Sequence, residues 1–284
     1  MVPINYGGRI ESRGPETYRS QSLLDTIFQA TGLENFQGSA VVIDLMSGPG
    51  GIALNLQKKA SRHSYAVLDY DQEQLAKIGE HEPVNKILAD VRNVSSVVKG
   101  ESVDIATARY GIKDIPQGQQ LQALKGINEI LRPGGVFVLT DMISLEGEGL
   151  QRWLNIQHSQ KQQLSGREIE KEGECYIPTE KEWLAMLKEV GFEAEVFGYY
   201  TSPISTGDWL TGNQFGNPKS PEAARKKAIM DEIIMNAPEG VKKAFNVRQG
   251  VNGMEIDYPV VIIRAVKKVA ESGLPTAGDL YAAS

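Results

Sequence analysis

Between Val41 and Leu139, short unbroken apolar runs alternate with amphipathic stretches, and this alternation restricts the fold more than any other feature of the chain. Val41-Val42-Ile43, Tyr65 to Leu68, Lys86 to Ala89, Val103 to Thr107 and Val136 to Leu139 each read as a strand. The runs are continuous rather than alternating, as expected of strands covered on both faces. The stretches between them keep helical spacing: Ile52 to Lys59, Gln72 to Ile78, and a third with Leu121, Leu124, Ile127 and Leu131 on its inner face. Strands alternating with crossover helices predict an α/β chain with a mostly parallel sheet and helices on both faces.

The flanks add to this core. Leu23, Leu24, Ile27 and Phe28 share one helical face, and Gly32 supplies a stop. Thr179 and Glu182 form a T-x-x-E capping box for a helix through Trp183, Leu184, Leu187 and Val190, closed by Gly191. Glu193 to Tyr199 is the predicted sixth strand and Tyr258 to Val266 the seventh, which makes a seven-stranded, Rossmann-like sheet. Ser220-Pro221 is a helix start within the long insert between them, so the insert is expected to be a partly helical lid. The predicted division is an N-terminal arm and cap helix (1–40), a core (41–143), a substrate-side connection with helix and sixth strand (144–200), the lid (201–257), the seventh strand (258–268) and a flexible tail (269–284).

Composition narrows the function. The formal net charge of −6 argues against a nucleic-acid partner. No apolar run approaches the roughly 20 residues of a membrane helix, and Met1 to Gly14 has no apolar stretch of the signal-peptide kind. Cys175 is the only cysteine, which rules out an intramolecular disulfide and fits a cytoplasmic location. The expected partner is a small-molecule substrate, and a homodimer is compatible with this reading.

The first strand runs into Asp44-Leu-Met-Ser-Gly-Pro-Gly-Gly51, where glycines let the backbone approach a ligand at a helix N-terminus. Dinucleotide folds use such a turn too, so the turn alone does not decide the ligand. Asp69 ends the second strand, where a carboxylate can accept from two ribose hydroxyls, and Asp90 ends the third. With these landmarks in order, Val41–Leu54 resembles the D-x-G-x-G-x-G motif of class I S-adenosylmethionine-dependent methyltransferases. Ala108-Arg-Tyr-Gly-Ile-Lys-Asp-Ile-Pro116 and Leu131-Arg-Pro-Gly-Gly135 resemble the ubiquinone/menaquinone C-methyltransferase branch. The resemblance covers about Ser22 to Ile143, and Met46 departs from it, standing where the family has its first glycine.

The resemblance implies S-adenosylmethionine as cofactor, with S-adenosylhomocysteine as product. It implies contacts from Asp44, Met46, Ser47, Gly48, Gly50, Asp69, Tyr70, Asp90, Val91 and Arg109. It also implies methyl transfer to a carbon or oxygen of a small molecule, in keeping with specialised metabolism. A cyclisation or decarboxylation on the same fold, or a non-enzymatic cofactor-binding subunit, stays open as the alternative. The protein must align a nucleophile and take its proton. His158, just beyond the fifth strand, is the leading base, with Asp141 at that strand's end as second candidate. Tyr110, Trp153, Gln157, Gln162, Tyr176 and Trp209 are the candidate substrate contacts. His158 and Gln162, four residues apart, could face one metal ion on a helix, which the sequence leaves unresolved. His63 and His81 are expected in surface loops, with structural or solvated roles.

Overall fold

The computed structural model describes residues 21–164, 175–209 and 220–269. Residues 1–20 of the predicted arm and cap helix, the tail beyond 269 and part of the lid fall outside these residues, as does the side chain of Trp209. The first half follows the predicted alternation: α1 (Gln21–Thr31), β1 (Val41–Leu45), α2 (Gly51–Lys59), β2 (Ser64–Asp69), α3 (Gln72–Ala76), β3 (Val84–Leu88), α4 (Val94–Val97), β4 (Val103–Arg109), α5 (Gln117–Ile130) and β5 (Leu131–Met142). The second half contributes α6 (Glu148–Leu164), α7 (Glu180–Glu189), β6 (Phe192–Ser205), α8 (Thr206–Trp209), α9 (Pro221–Met235), α10 (Glu239–Ala244), β7 (Arg248–Gly250) and β8 (Gly253–Lys267).

The strands form one sheet in the order β3-β2-β1-β4-β5-β8-β6, with short β7 pairing β8 off that path. β1 to β5 pair in parallel, and β8 runs antiparallel between β5 and β6. The strand order reverses beside β1, which opens a crevice at the carboxyl ends of β1 and β4, where open α/β sheets bind their ligands. One apolar layer packs residues of α1, α2, α6, α9 and α10 on the sheet, and the other packs α5 and α7. The Thr179–Glu182 capping box forms as expected at the start of α7.

The bounds of the insert need correction. β6 continues to Ser205 and β8 begins at Gly253, so the insert is 206–252 rather than 201–257. The run Thr201-Ser-Pro-Ile-Ser205 has the composition of a loop, yet β6 is an edge strand, where a proline costs no ladder bond on the outer side. The β6–β8 ladder also skips between Val196 and Gly198, so Phe197 is an extra residue in β6. His63 lies in the loop between α2 and β2 and takes the structural role, buried with its Nδ1 accepting from the Ala40 N–H at 3.0 Å, whereas His81 is exposed.

The described part of the insert packs as a buttress. Met230, Ile234, Ala237, Val241 and Phe245 belong to the core layer that also holds Leu154 of α6. Trp153 stacks on Phe245 with ring centroids 5.8 Å apart. The Asn155 side chain accepts from the Ile177 N–H at 2.8 Å, pinning α6 to the segment before α7. α6 is therefore anchored through Trp153, Leu154 and Asn155, which fixes the placement of the turns that follow.

Candidate functional site

A cavity of about 960 Å³ opens at the carboxyl ends of β1, β2 and β4. Its first end is made from the turn after β1. Gly48 and Gly50 take positive φ values of 52° and 75°, and a Cβ on Gly48 would meet only open space. The Ser47 hydroxyl is buried there with no hydrogen-bond partner among the described residues, a polar atom suited to a ligand. Asp69 holds the turn in place: one carboxylate oxygen accepts from the Gly48 N–H at 2.7 Å and the other from the Asp71 N–H at 2.9 Å. Asp69 lies behind the turn rather than in the cavity wall, while Tyr70 and Asp71 stand at the rim, Tyr70 with 71% of its surface exposed. Asp90 and Val91 line the wall, and the Arg92 guanidinium, hydrogen-bonded to Asp90, holds that carboxyl below the usual range.

Asp44 sits at the floor. Its carboxylate accepts from the Thr107 hydroxyl at 2.7 Å and the Ala53 N–H at 3.3 Å, yet burial still pushes it up to about 6. Met46, at the position of the family's first glycine, has a φ of 52°, a conformation that strains a side-chain-bearing residue. Its space comes from the neighbouring turn after β4: a Cβ on Gly111 would lie 2.6 Å from the Met46 sulfur. The missing glycine of the motif has its counterpart at Gly111.

The second end is built from side chains. The backbone turns sharply after β4, with Tyr110 at a φ of 54°, and places Arg109, Tyr110, Lys113 and Asp114 along the wall. Lys113 is buried and donates to the Tyr110 carbonyl at 2.8 Å and to Asp114 at 3.2 Å. Opposite, α6 presents Gln157, His158, Lys161 and Gln162. His158 Nε2 lies 2.7 Å from Asp114 Oδ1, and the Gln162 amide donates to the same oxygen at 3.2 Å. Burial alone would raise Asp114, but Lys113, the His158 hydrogen bond and Lys161 outweigh it and hold the carboxyl well below its ordinary value. An ionised carboxylate only accepts, so the His158 Nε2–H donates and Nδ1 keeps the lone pair. Burial, which Asp114 only partly offsets, lowers His158 below the ordinary imidazole value, so the ring is neutral near pH 7. Ser202, Ile204 and Tyr258 close the far wall.

Other candidates fall outside this wall. Asp141 is fully buried beneath it, accepting from the Met142 N–H at 2.8 Å and the Lys113 N–H at 3.3 Å; burial pushes it up to about 6. Trp153 packs on Phe245 in the core layer. The Tyr176 hydroxyl is bound to Glu182 and Gln151, in the network around the cap of α7. Among the described residues, none of 206–252 lines the cavity. No group of three or more His, Cys, Asp or Glu among them is arranged to hold a metal; His158 and Gln162 converge on Asp114 instead. Lys113, Asp114 and Lys161 carry no assignment in the sequence reading. The available signal was two adjacent charges between Ile112 and Ile115, and a lysine four residues after Gln157 on the same helical face.

Comparison with known proteins agrees with this fold. Residues 42–135 match the model of a methyltransferase domain. A ubiquinone/menaquinone biosynthesis C-methyltransferase from a Ruegeria strain is 25% identical over 166 residues, covering 54% of this chain and 66% of that protein. The YcgJ protein of Bacillus subtilis superposes with a TM-score of 0.67 at 16% identity, over 85% of this chain and 99% of that one. The cyclase SpnF does so with a TM-score of 0.56 at 17% identity, over 87% and 81%. Sheet order, glycine turn and domain match together define the fold of the class I methyltransferases. Within that class, the core resembles the ubiquinone/menaquinone C-methyltransferases.

Proposed function

We propose that the protein transfers the methyl group of S-adenosylmethionine to a carbon or oxygen of a small molecule, with His158 as the base. The observation that carries this reading is a single cavity lined at one end by the glycine turn and at the other by Asp114, His158 and Lys161. The residues suited to the cofactor are Met46 to Gly50 and Asp90 to Val91, with Asp69 acting through the turn it latches. The bound cofactor supplies an electrophilic methyl on a sulfonium, so the chain must align the acceptor and receive its proton. His158 takes that proton at Nδ1, and the resulting imidazolium is stabilised by Asp114 on its other nitrogen. Asp114 is thus a positioning residue, held in place by Lys113 and Gln162. Asp141 acts one step further back, anchoring the Lys113 backbone.

The test is incubation with S-adenosylmethionine and a library of small acceptors, read by mass spectrometry. The expected result is a product heavier by one methyl together with S-adenosylhomocysteine. A product without added methyl, or turnover unaffected by His158→Ala, would count against this reading. The same fold in SpnF hosts a cyclase, so isomerised products belong in the readout.

A further inference from the structure

A buried helix face is ordinarily apolar, because polar groups withdrawn from water lose hydrogen bonds that the interior rarely returns. α6 breaks this rule along part of its buried face. Trp153 and Leu154 are apolar and join the core layer, whereas the following turns of the same face are polar where they meet the cavity, with Gln157, His158, Lys161 and Gln162. His158 and Gln162 are accounted for by Asp114. Gln157 is not: it is only 1% exposed, and its amide nitrogen has no hydrogen-bond partner among the described residues.

Gln157 and Lys161 are four residues apart, hence neighbours on one helical face. Between them they offer an amide N–H and an ammonium to the same part of the cavity. The carboxylates there are already engaged. Asp114 already accepts from Lys113, His158 and Gln162, and Lys113 also lies 3.9 Å from Asp141. Lys161 shares Asp114 with those groups, and burial and the Lys113 charge push it down to about 8. An anion beside Lys161 would relieve both effects.

We infer that Gln157 and Lys161 together bind a carboxylate of the acceptor, so that the natural acceptor is a small carboxylic acid. Two adjacent donors match the two oxygens of a carboxylate, and a lysine binds it as a point charge without the planar fork of an arginine. This deepens the methyltransferase reading above and rests on it.

The experiment is calorimetric titration of the protein saturated with S-adenosylhomocysteine, using two matched pairs of probes. Protocatechuate and its carboxamide offer hydroxyl acceptors; benzoylacetate and benzoylacetamide offer an acidic carbon. In at least one pair the acid should bind about tenfold or more tightly than the amide. Lys161→Met should abolish that preference while S-adenosylhomocysteine affinity stays within about twofold, and Lys161→Arg should retain most of it. Equal binding of acid and amide, no binding by either pair, or a preference that survives Lys161→Met would overturn the proposal. So would a loss of S-adenosylhomocysteine affinity in Lys161→Met, which would assign the lysine to the cofactor's own carboxylate. Failure of the wild-type protein to bind S-adenosylhomocysteine at all would overturn the methyltransferase reading, and this proposal with it.

Discussion

The two ends of the cavity are built by different means. The end at the glycine turn is mostly backbone: positive-φ glycines, a helix start, and a carboxylate spent on holding main-chain N–H groups. The end beneath α6 is mostly side chains, brought together from the turn after β4, from α6, and from β6 and β8. A backbone site is specified by a few neighbouring residues and keeps its shape when its surroundings change. A side-chain site depends on several distant segments at once, so it can be retuned, and it can be lost, through any of them.

The widest separation between the two ends should come from His158→Ala. Turnover is expected to fall about 10²- to 10⁴-fold while S-adenosylhomocysteine affinity hardly moves, as read by steady-state kinetics beside calorimetry. Asp69→Ala should do the reverse. Freeing the Gly48 and Asp71 N–H groups unlatches the turn, and cofactor affinity should drop about 30- to 1000-fold. If Asp69→Ala left calorimetric affinity unchanged, the turn would be self-supporting and the comparison would fail at its first end.

A third measurement asks where the ends meet. Gly111→Ala places a Cβ 2.6 Å from the Met46 sulfur, and it should destabilise the fold by about 1–3 kcal/mol in thermal or urea unfolding. Met46→Gly opens that space and removes a strained φ, so the double variant should recover much of the loss. Additive losses would show that the two positions are not coupled. The smallest expected effect is on pH dependence. A base works when neutral, the neutral form dominates above its pKa, and burial lowers that of His158. The rising limb of turnover should therefore lie below pH 6.5, the ordinary value for histidine, with a plateau through neutrality. A limb above that value would mean that Asp114 stabilises the imidazolium more than burial disfavours it.

The contrast between the ends also explains what could be read from the sequence. The first five strand positions, the glycine turn and the Asp69 and Asp90 positions follow from local runs and fixed spacings, and all lie within one stretch of chain. His158 was legible as a histidine just past β5, but its partner Asp114 is 44 residues away in sequence, and no local pattern joins them. Trp153 and Tyr176 illustrate the opposite error. Both are aromatic residues near the site in sequence, yet one packs on Phe245 and the other serves the cap of α7. The insert misled for a related reason: its length suggested a lid, whereas its described helices carry apolar faces that belong to the core behind α6.

The extra residue in β6 bears on how the far wall of the cavity came to be what it is. Side chains along a strand alternate between faces, and an added residue inverts that alternation for everything on one side of it. Phe197 is that residue, and downstream of it Ser202 and Ile204 face the cavity, with Ser202 paired to Tyr258 across the ladder. A deletion that removed the skip would bring the neighbours Thr201 and Pro203 into phase with the pocket instead. Acceptor choice in such a protein can therefore shift by insertion or deletion as well as by substitution: one codon gained or lost well upstream would exchange a whole row of contacts in a single event.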